Sequence, residues 1–339
     1  MKTHPVLLDV DAGVDDTLAI AFALLSPRLD VKGISTVAGN VPVRSCTRNA
    51  LLTLEILTPV LHSLLPERKR TSPPVVEGAS EPLREKLFTA KEVHGEDGIG
   101  NASKFYSRLL QKPLNISAPD FIIQTVQKNP QVTIIATGPL TNVALAIGKN
   151  ESAMKRVREI SIMGGAFNGF HNTGPVAEFN FYVDPDAADV VMKSGIPIRL
   201  HPLNVTEQCI VTPHDLQAVR NRMLREYLLR VTKFYFQFHR RTERFLGGYL
   251  HDPLAVAAVI DPSLFDYEPG YAHVEFAGKY TRGMSVFFPK LNPAKEAALP
   301  EWVSRTLRRR MSVRVATGVD PARTKKLFLQ TLSAYSARK

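Results

Sequence analysis

The sequence predicts an α/β fold: a mostly parallel open sheet covered by helices on both faces, with a helical C-terminal part, in one domain over residues 1–339. Three observations predict it. Short β-branched apolar runs alternate with helix-period stretches for about the first 200 residues, at the spacing of β–α–β units. Polar residues and glycines gather where those runs end, which is where open sheets place their ligand crevice. At 44% apolar and 22% charged the chain can fill a large core, and neither a repeat nor a clear linker divides it.

The first strand is the apolar run Val6 to Val10. It breaks at Ala12-Gly13, and Leu18, Ala19, Phe22 and Ala23 then recur at helical spacing. Asp9, Asp11, Asp15 and Asp16 fall across that junction. The plainer reading is a cap, a first-turn acid and two solvated side chains. The sharper one is a cation site. Carboxylates crowded into one crevice repel each other, and a hard divalent ion with oxygen ligands removes the repulsion.

The next elements follow in order. Residues 31–37 read as a strand ending at Ala38-Gly39-Asn40, and 43–57 as a helix. Residues 58–74 are basic and proline-bearing, and read as a surface insertion. Residues 75–79 form a short strand and turn. The Gly-rich loop 94–100 lacks the spacing of a P-loop or a dinucleotide fingerprint, so it is either a plain loop or part of a site. Helices are expected at 103–110 and 118–128. The strand at 132–136 runs into Thr137-Gly138-Pro139, with Pro139 placed to open a helix. A strand at 159–163 ends at Gly164-Gly165, and a polar segment follows to Asn180. Asp184 is a helix cap. A strand is expected at 196–200, a long helical region at 216–240, and a helix opening at Leu250-His251-Asp252-Pro253. Beyond Glu268, strand-like pieces at 273–276 and 313–315 precede a helix over 321–334.

Charge and composition exclude several classes. Lys plus Arg number 43 against 32 Asp plus Glu, a net charge of +11. The basic residues are scattered, with short runs at 68–70 and 308–310, and no aromatic interleaving makes a stacking platform. No nucleic-acid partner is expected. Cys46 and Cys209 alone build neither a disulfide framework nor a zinc site. No apolar run reaches membrane-spanning length, and the N-terminus runs straight into a strand without a signal peptide. The expected setting is cytoplasmic.

The ordered motifs carry a resemblance. Asp9-Val10-Asp11-Ala12-Gly13-Val14-Asp15-Asp16 is a DxDxGxDD stretch. Thr36-Val37-Ala38-Gly39-Asn40, the 94–100 loop, residues 136–142, Met163-Gly164-Gly165, Ala177-Glu178-Phe179-Asn180 and residues 250–257 follow in order. Together they resemble the inosine–uridine nucleoside hydrolase family over about residues 5–290. The resemblance implies hydrolysis of the N-glycosidic bond of ribonucleosides, in nucleoside salvage or catabolism. It implies a Ca2+ ion held by Asp11, Asp16, Asp252 and the Thr137 carbonyl. Asp15 and Asn40 would bind ribose hydroxyls, and Asn172, Glu178 and Asn180 the rest of the sugar. Met163 would line the ribose pocket, and His94 and His251 would lie near the base. A homodimer or homotetramer is implied as well.

Cleavage of such a bond passes through a cationic sugar. Asp11 would act as general base toward water, and His251 would give a proton to the departing base near neutral pH. Tyr235, His239 and Glu243 are the candidates for choosing the base. The sequence departs from the family at Ala12, where proline is common; this loosens the turn. It departs again at 58–74 and at 287–290. Two readings compete. A haloacid-dehalogenase-type phosphotransferase also starts with a strand ending in DxD, but with Thr or Ser soon after. A nucleoside-binding protein would keep the pocket without turnover.

Overall fold

The computed structural model describes residues 3–64, 72–106, 111–290, 298, 301 and 313–333. Nine strands form one sheet: β1 (His4–Val10), β2 (Leu29–Thr36), β3 (Val75–Glu77), β4 (Thr133–Ala136), β5 (Glu159–Met163), β6 (Ile198–His201), β9 (Phe265–Val274), β10 (Ser285–Pro289) and β11 (Val313–Val319). The order is β10-β9-β11-β6-β5-β4-β1-β2-β3. From β3 across to β11 every pairing is parallel, and β9 and β10 add an antiparallel edge. A two-stranded ribbon of β7 (Ile210–Val211) and β8 (Gly248–Tyr249) stands apart.

Burial follows from the doubly covered sheet. One apolar core includes the helices Val14–Leu25, Val43–Leu64, Arg222–Thr242, His251–Ile260 and Pro321–Ser333. The other, on the opposite face, includes Ala118–Lys128, Thr141–Lys149 and Pro185–Met192. Every residue of Val14–Leu25 is buried, so this helix carries no polar outer face. The chain starts at β1, builds outward to β2 and β3, then returns to β4 on the other side of β1. That reversal is the switch point at which open sheets hold ligands.

Several expectations are corrected. The helix at 43–57 continues to Leu64 through Pro59, so 58–74 does not begin as a loop. Val60 and Leu61 are 2% and 5% exposed, and their burial outweighs the ladder bond that Pro59 removes. Residues 65–71, the rest of that segment with its basic run, lie outside the described residues, as do 308–310. In place of a helix at 103–110 there is a 3-10 turn at Ser103–Phe105, and 107–110 lie outside the described residues. Pro139 sits ahead of the helix Thr141–Lys149, whose N-cap is Leu140. The long region at 216–240 splits into Pro213–Gln217 and Arg222–Thr242. The break is set by Asn221, whose side chain accepts from Leu224 N and starts the second helix. The C-terminal part has its final helix and also supplies β9, β10 and β11. Residues 287–290 fall on β10 and just beyond it.

Candidate active site

Parallel pairing brings four strand ends to one edge. Asp11 follows β1, Asn40 follows β2, Thr137 follows β4, and Met163 closes β5. His251 and Asp252 arrive on the first turn of the helix His251–Ile260, and Glu178 and Asn180 on the short helix after the 166–177 loop. A cavity of about 590 Å³ opens there. Asp15, Asn40, His94, Thr137, Met163, Asn172, Glu178, Asn180, His251 and Asp252 all line it. Asp11 and Asp16 do not line it; they are buried at 1% and 0% exposure next to the lining acids Asp15 and Asp252.

Local chemistry fixes each acid. Gly13 N donates to Asp16 Oδ2 at 2.8 Å, and the Thr137 hydroxyl donates to Asp16 Oδ1 at 2.6 Å. Asn40 N donates to Asp11 Oδ2 at 2.7 Å. A Cβ on Gly39 would lie 2.1 Å from that same oxygen, so only glycine lets β2's turn approach. Ala12 lies buried in the left-handed region at φ 41°. Its carbonyl accepts from Asn49 Nδ2 at 3.1 Å. Proline could not adopt this backbone, so the turn at Ala12 is held in place and not loosened.

Behind the site, Asp9 accepts from Ser35 Oγ and Asn142 Nδ2, and burial lifts it to about 6. Four acids remain in front. Asp15, Asp16 and Asp252 crowd one another, and Asp11 is close enough to raise and be raised by their charge. Burial first, and the neighbouring carboxylates second, push Asp11 and Asp252 well above the usual range and Asp15 to about 8; burial raises Asp16 too. Two carboxylates touch only with a proton or a cation between them. Asp15, Asp16 and Asp252 offer oxygens within 4.8 Å of one another, and Asp15 Oδ1 is buried without a partner. No Lys or Arg lines the cavity among the described residues. This donor set fits a divalent cation. The tightest triple includes Asp15, which the sequence motif assigned to the sugar, and places Asp11 beside it.

Asn180 Nδ2 donates to the Thr137 carbonyl at 2.9 Å and reaches Met163 O at 3.3 Å, tying three predicted residues together. Glu178 accepts from Gly165 N, Asn180 N and Phe181 N, so it caps its helix from inside the cavity, and burial lifts it to about 7. Asn172 is the outlier. Its side chain is exposed, and its oxygen accepts from its own neighbour Thr173.

The histidines differ from expectation. His94 Nδ1 accepts from Val14 N at 3.1 Å, so the neutral ring carries its proton on Nε2. His251 Nδ1 meets Thr206 Oγ1 at 2.8 Å. Burial, and then His239 and His94 nearby, depress His251 to about 3. It is therefore a neutral ring at pH 7, not the acid titrating near neutrality that the sequence led us to expect. Sequence reasoning missed Glu207, Glu92 and Tyr249, which also line the cavity. Glu207 is lifted to about 7 by burial and by Glu243. No motif marks these three; only the folded chain brings them to the wall.

A carboxylate-lined, cation-seeking crevice at the switch point of a doubly covered parallel sheet defines an α/β enzyme. The chain belongs to the inosine-uridine preferring nucleoside hydrolase family, whose sequence model matches residues 6–326. It is 36% identical to probable uridine nucleosidase 2 of Arabidopsis thaliana, over 96% of this chain and 97% of that one. A solved plant nucleoside hydrolase is 37% identical with a TM-score of 0.86, covering 98% of this chain and 99% of its own. A purine-preferring ribonucleoside hydrolase from Gardnerella vaginalis is 31% identical with a TM-score of 0.82, covering 97% and 98%. The protein is thus an enzyme of the ribonucleoside hydrolase class, releasing free base and ribose. Among the described residues, no helix is long and apolar enough to cross a membrane.

Proposed function

We propose that the protein is a calcium-dependent ribonucleoside hydrolase of nucleoside salvage or catabolism, and that the motif residues carry its chemistry. The observation behind this is the set of buried, crowded carboxylates, three of them with oxygens within 4.8 Å of one another and Asp11 close by, with one orphaned oxygen on Asp15. Asp11, Asp16 and Asp252 would hold the cation, with the Thr137 carbonyl, whose second lone pair is left over from its bond to Asn180. All-oxygen ligation from a buried, irregular set suits Ca2+ over Mg2+. Bound there, the cation would neutralise the acids and make a nearby water more acidic.

The side chains do the rest. Asp11, oriented by Asn40 N, takes the proton of the attacking water. Asp15 and Asn40 accept and donate to the ribose hydroxyls, and the surrounding carboxylates favour the positive charge that develops on the sugar. Asn180, Met163 and Glu178 wall the sugar's far side, with Asn172 at the rim. His94 and His251 face the base as neutral rings, and His251 offers a hydrogen bond to the departing base from a position held by Thr206.

The test is ribose release from uridine, inosine, cytidine and adenosine before and after exhaustive chelation, with elemental analysis alongside. Activity lost on chelation and restored by Ca2+ is expected. Full turnover by protein free of divalent ions would overturn the cation assignment while leaving the hydrolysis itself standing.

A further inference from the structure

Two central strands break the rule for a sheet buried on both faces. Such strands read as near-continuous apolar runs. Here β5 and β6 lie side by side with Ser161 opposite Arg199, and both are fully buried, yet polar and apolar residues alternate along them. Ile160, Ile162, Ile198 and Leu200 enter one core. Glu159, Ser161, Arg199 and His201 point to the other face, because successive side chains of a strand alternate.

That polar face meets the helix His251–Ile260. Ser161 Oγ donates to Ala255 O at 2.8 Å, and Arg199 Nη1 donates to Ala258 O. Arg28, just ahead of β2, donates to Ile260 O at 3.0 Å. Arg199 Nη2 pairs with Glu159 Oε1, and the two residues are only 5% and 6% exposed. Two cations therefore hold carbonyls of the last turn, which no intrahelical N–H reaches.

Every residue from Asp252 to Ile260 is buried, and all after Asp252 are apolar. Ala255, Ala257 and Ala258 give that surface little relief, and apolar burial has no direction. Packing alone leaves such a helix free to settle along and about its axis. A carbonyl gripped by a paired guanidinium fixes both. The opposite end of the same helix carries His251 and Asp252 into the cavity.

A buried ion pair is a weak source of stability, since apolar residues of similar volume often serve as well or better; register is the better-attested use. We propose that the Glu159–Arg199 pair sets the axial register of the His251–Ile260 helix, and with it the position of Asp252 and His251 in the cavity. Neither partner lines the cavity, so both are positioning residues. The link to calcium rests on the cation assignment for Asp252.

Glu159→Leu combined with Arg199→Met replaces the pair by apolar volume and should melt within a few degrees of wild type. It should nevertheless bind calcium about 10-fold more weakly by calorimetry. Its kcat on uridine should fall by about 10- to 100-fold, because a misplacement of about 1 Å is enough for that. Crystals of the metal-free double variant should show Asp252 displaced by roughly 0.5 Å or more, the tolerance of a preorganised site. Unchanged calcium affinity with Asp252 unmoved overturns the proposal. So does a calcium loss that merely tracks a lower melting temperature, which is what a structural role gives. Should the double variant not fold, Arg28→Met decides, since Arg28 is exposed and grips the same helix end. It should weaken calcium binding by about 3-fold with kcat falling in step, and no change overturns the proposal. Wild-type protein that binds no calcium would instead overturn the cation assignment, and the position of Asp252 in metal-free crystals then decides the register by itself.

Discussion

The two ends of the cavity are built differently. The sugar end stands on strand termini and first helical turns: Asp11 after β1, Asn40 after β2, Thr137 after β4, Asp16 inside the first turn of Val14–Leu25. These positions are locked by backbone pairing, and their side chains are almost fully buried. The base end stands on one long helix and a ribbon, where Thr242, Glu243 and Tyr249 are partly or fully exposed. A sheet edge gives a constellation of fixed, buried carboxylates suited to a cation. A helix end with a loop gives a wall that can be rebuilt around different bases. The relatives reflect this: one is named for uridine and another for purine preference, on the same fold.

The sharpest way to break this contrast is at the sugar end. Asp11→Ala should remove a cation ligand and the base together, lowering kcat by more than about 10⁴-fold. Calcium binding by calorimetry should weaken in parallel. A variant with tight calcium binding and near-parent turnover would mean that Asp11 does neither job. A smaller but still large effect should come from the substrate. Asp15 Oδ1 is buried without a partner and Asn40 lines the cavity beside it, so 2′-deoxyuridine should lose roughly 10³- to 10⁴-fold in kcat/KM against uridine. Comparable values for the two would show that the sugar end does not read the 2′-hydroxyl.

Legibility in the sequence follows the same division. The strand–turn–helix of residues 6–25 was legible because its apolar run, its break at Gly13 and its acids are contiguous. Parallel order then places Asn40, Thr137 and Met163 beside it without further information. The base end was legible only in part: Tyr235, His239 and Glu243 stand out in the sequence and line the cavity, whereas Glu92, Glu207 and Tyr249 do not stand out. Glu243 meets Tyr249 only after the chain turns into β8, and Glu207 arrives from a separate short helix. Local pattern also misled where tertiary packing won. Pro59 marked a loop by propensity, yet buried Val60 and Leu61 carry the helix through it. His251 read as a neutral-pH acid by residue type, and burial among other histidines overrides that.

A third prediction sharpens the contrast through pH. Without a cation, Asp15 at about 8 and Glu178 at about 7 hold protons that the unfolded chain releases near pH 4. The native state then binds more protons than the unfolded state over that window, so stability falls as pH rises through it. His94 and His251, depressed to about 3, act oppositely but only below about pH 6.5, where unfolded histidine gains its proton. Metal-free protein should therefore melt several degrees lower at pH 8.5 than at pH 6.5, at about 2 °C per kcal/mol for a chain of this size. Calcium should flatten the dependence by replacing the shared protons. Equal melting temperatures in metal-free protein at the two pH values would place the destabilising charge elsewhere.

The smallest effect should come from Asn172, the one motif residue that the fold leaves at the rim. Its side chain is exposed, its oxygen is already used by Thr173, and its place in the loop is held by main-chain bonds to Ala177. A rim hydrogen bond to the sugar's 5′ end competes with water and is worth about 0.5–1.5 kcal/mol. Asn172→Ala should therefore raise KM for uridine by about 3- to 10-fold, with kcat changed less, because the contact is the same in the ground and transition states. Glu178 makes the matched control. It carries three main-chain N–H groups inside the cavity, so Glu178→Ala should lower the melting temperature as well as activity. If Asn172→Ala instead lowered kcat as strongly as Glu178→Ala while leaving stability intact, the 166–177 loop would have to close over the sugar during turnover. The rim would then belong to the preorganised end of the cavity.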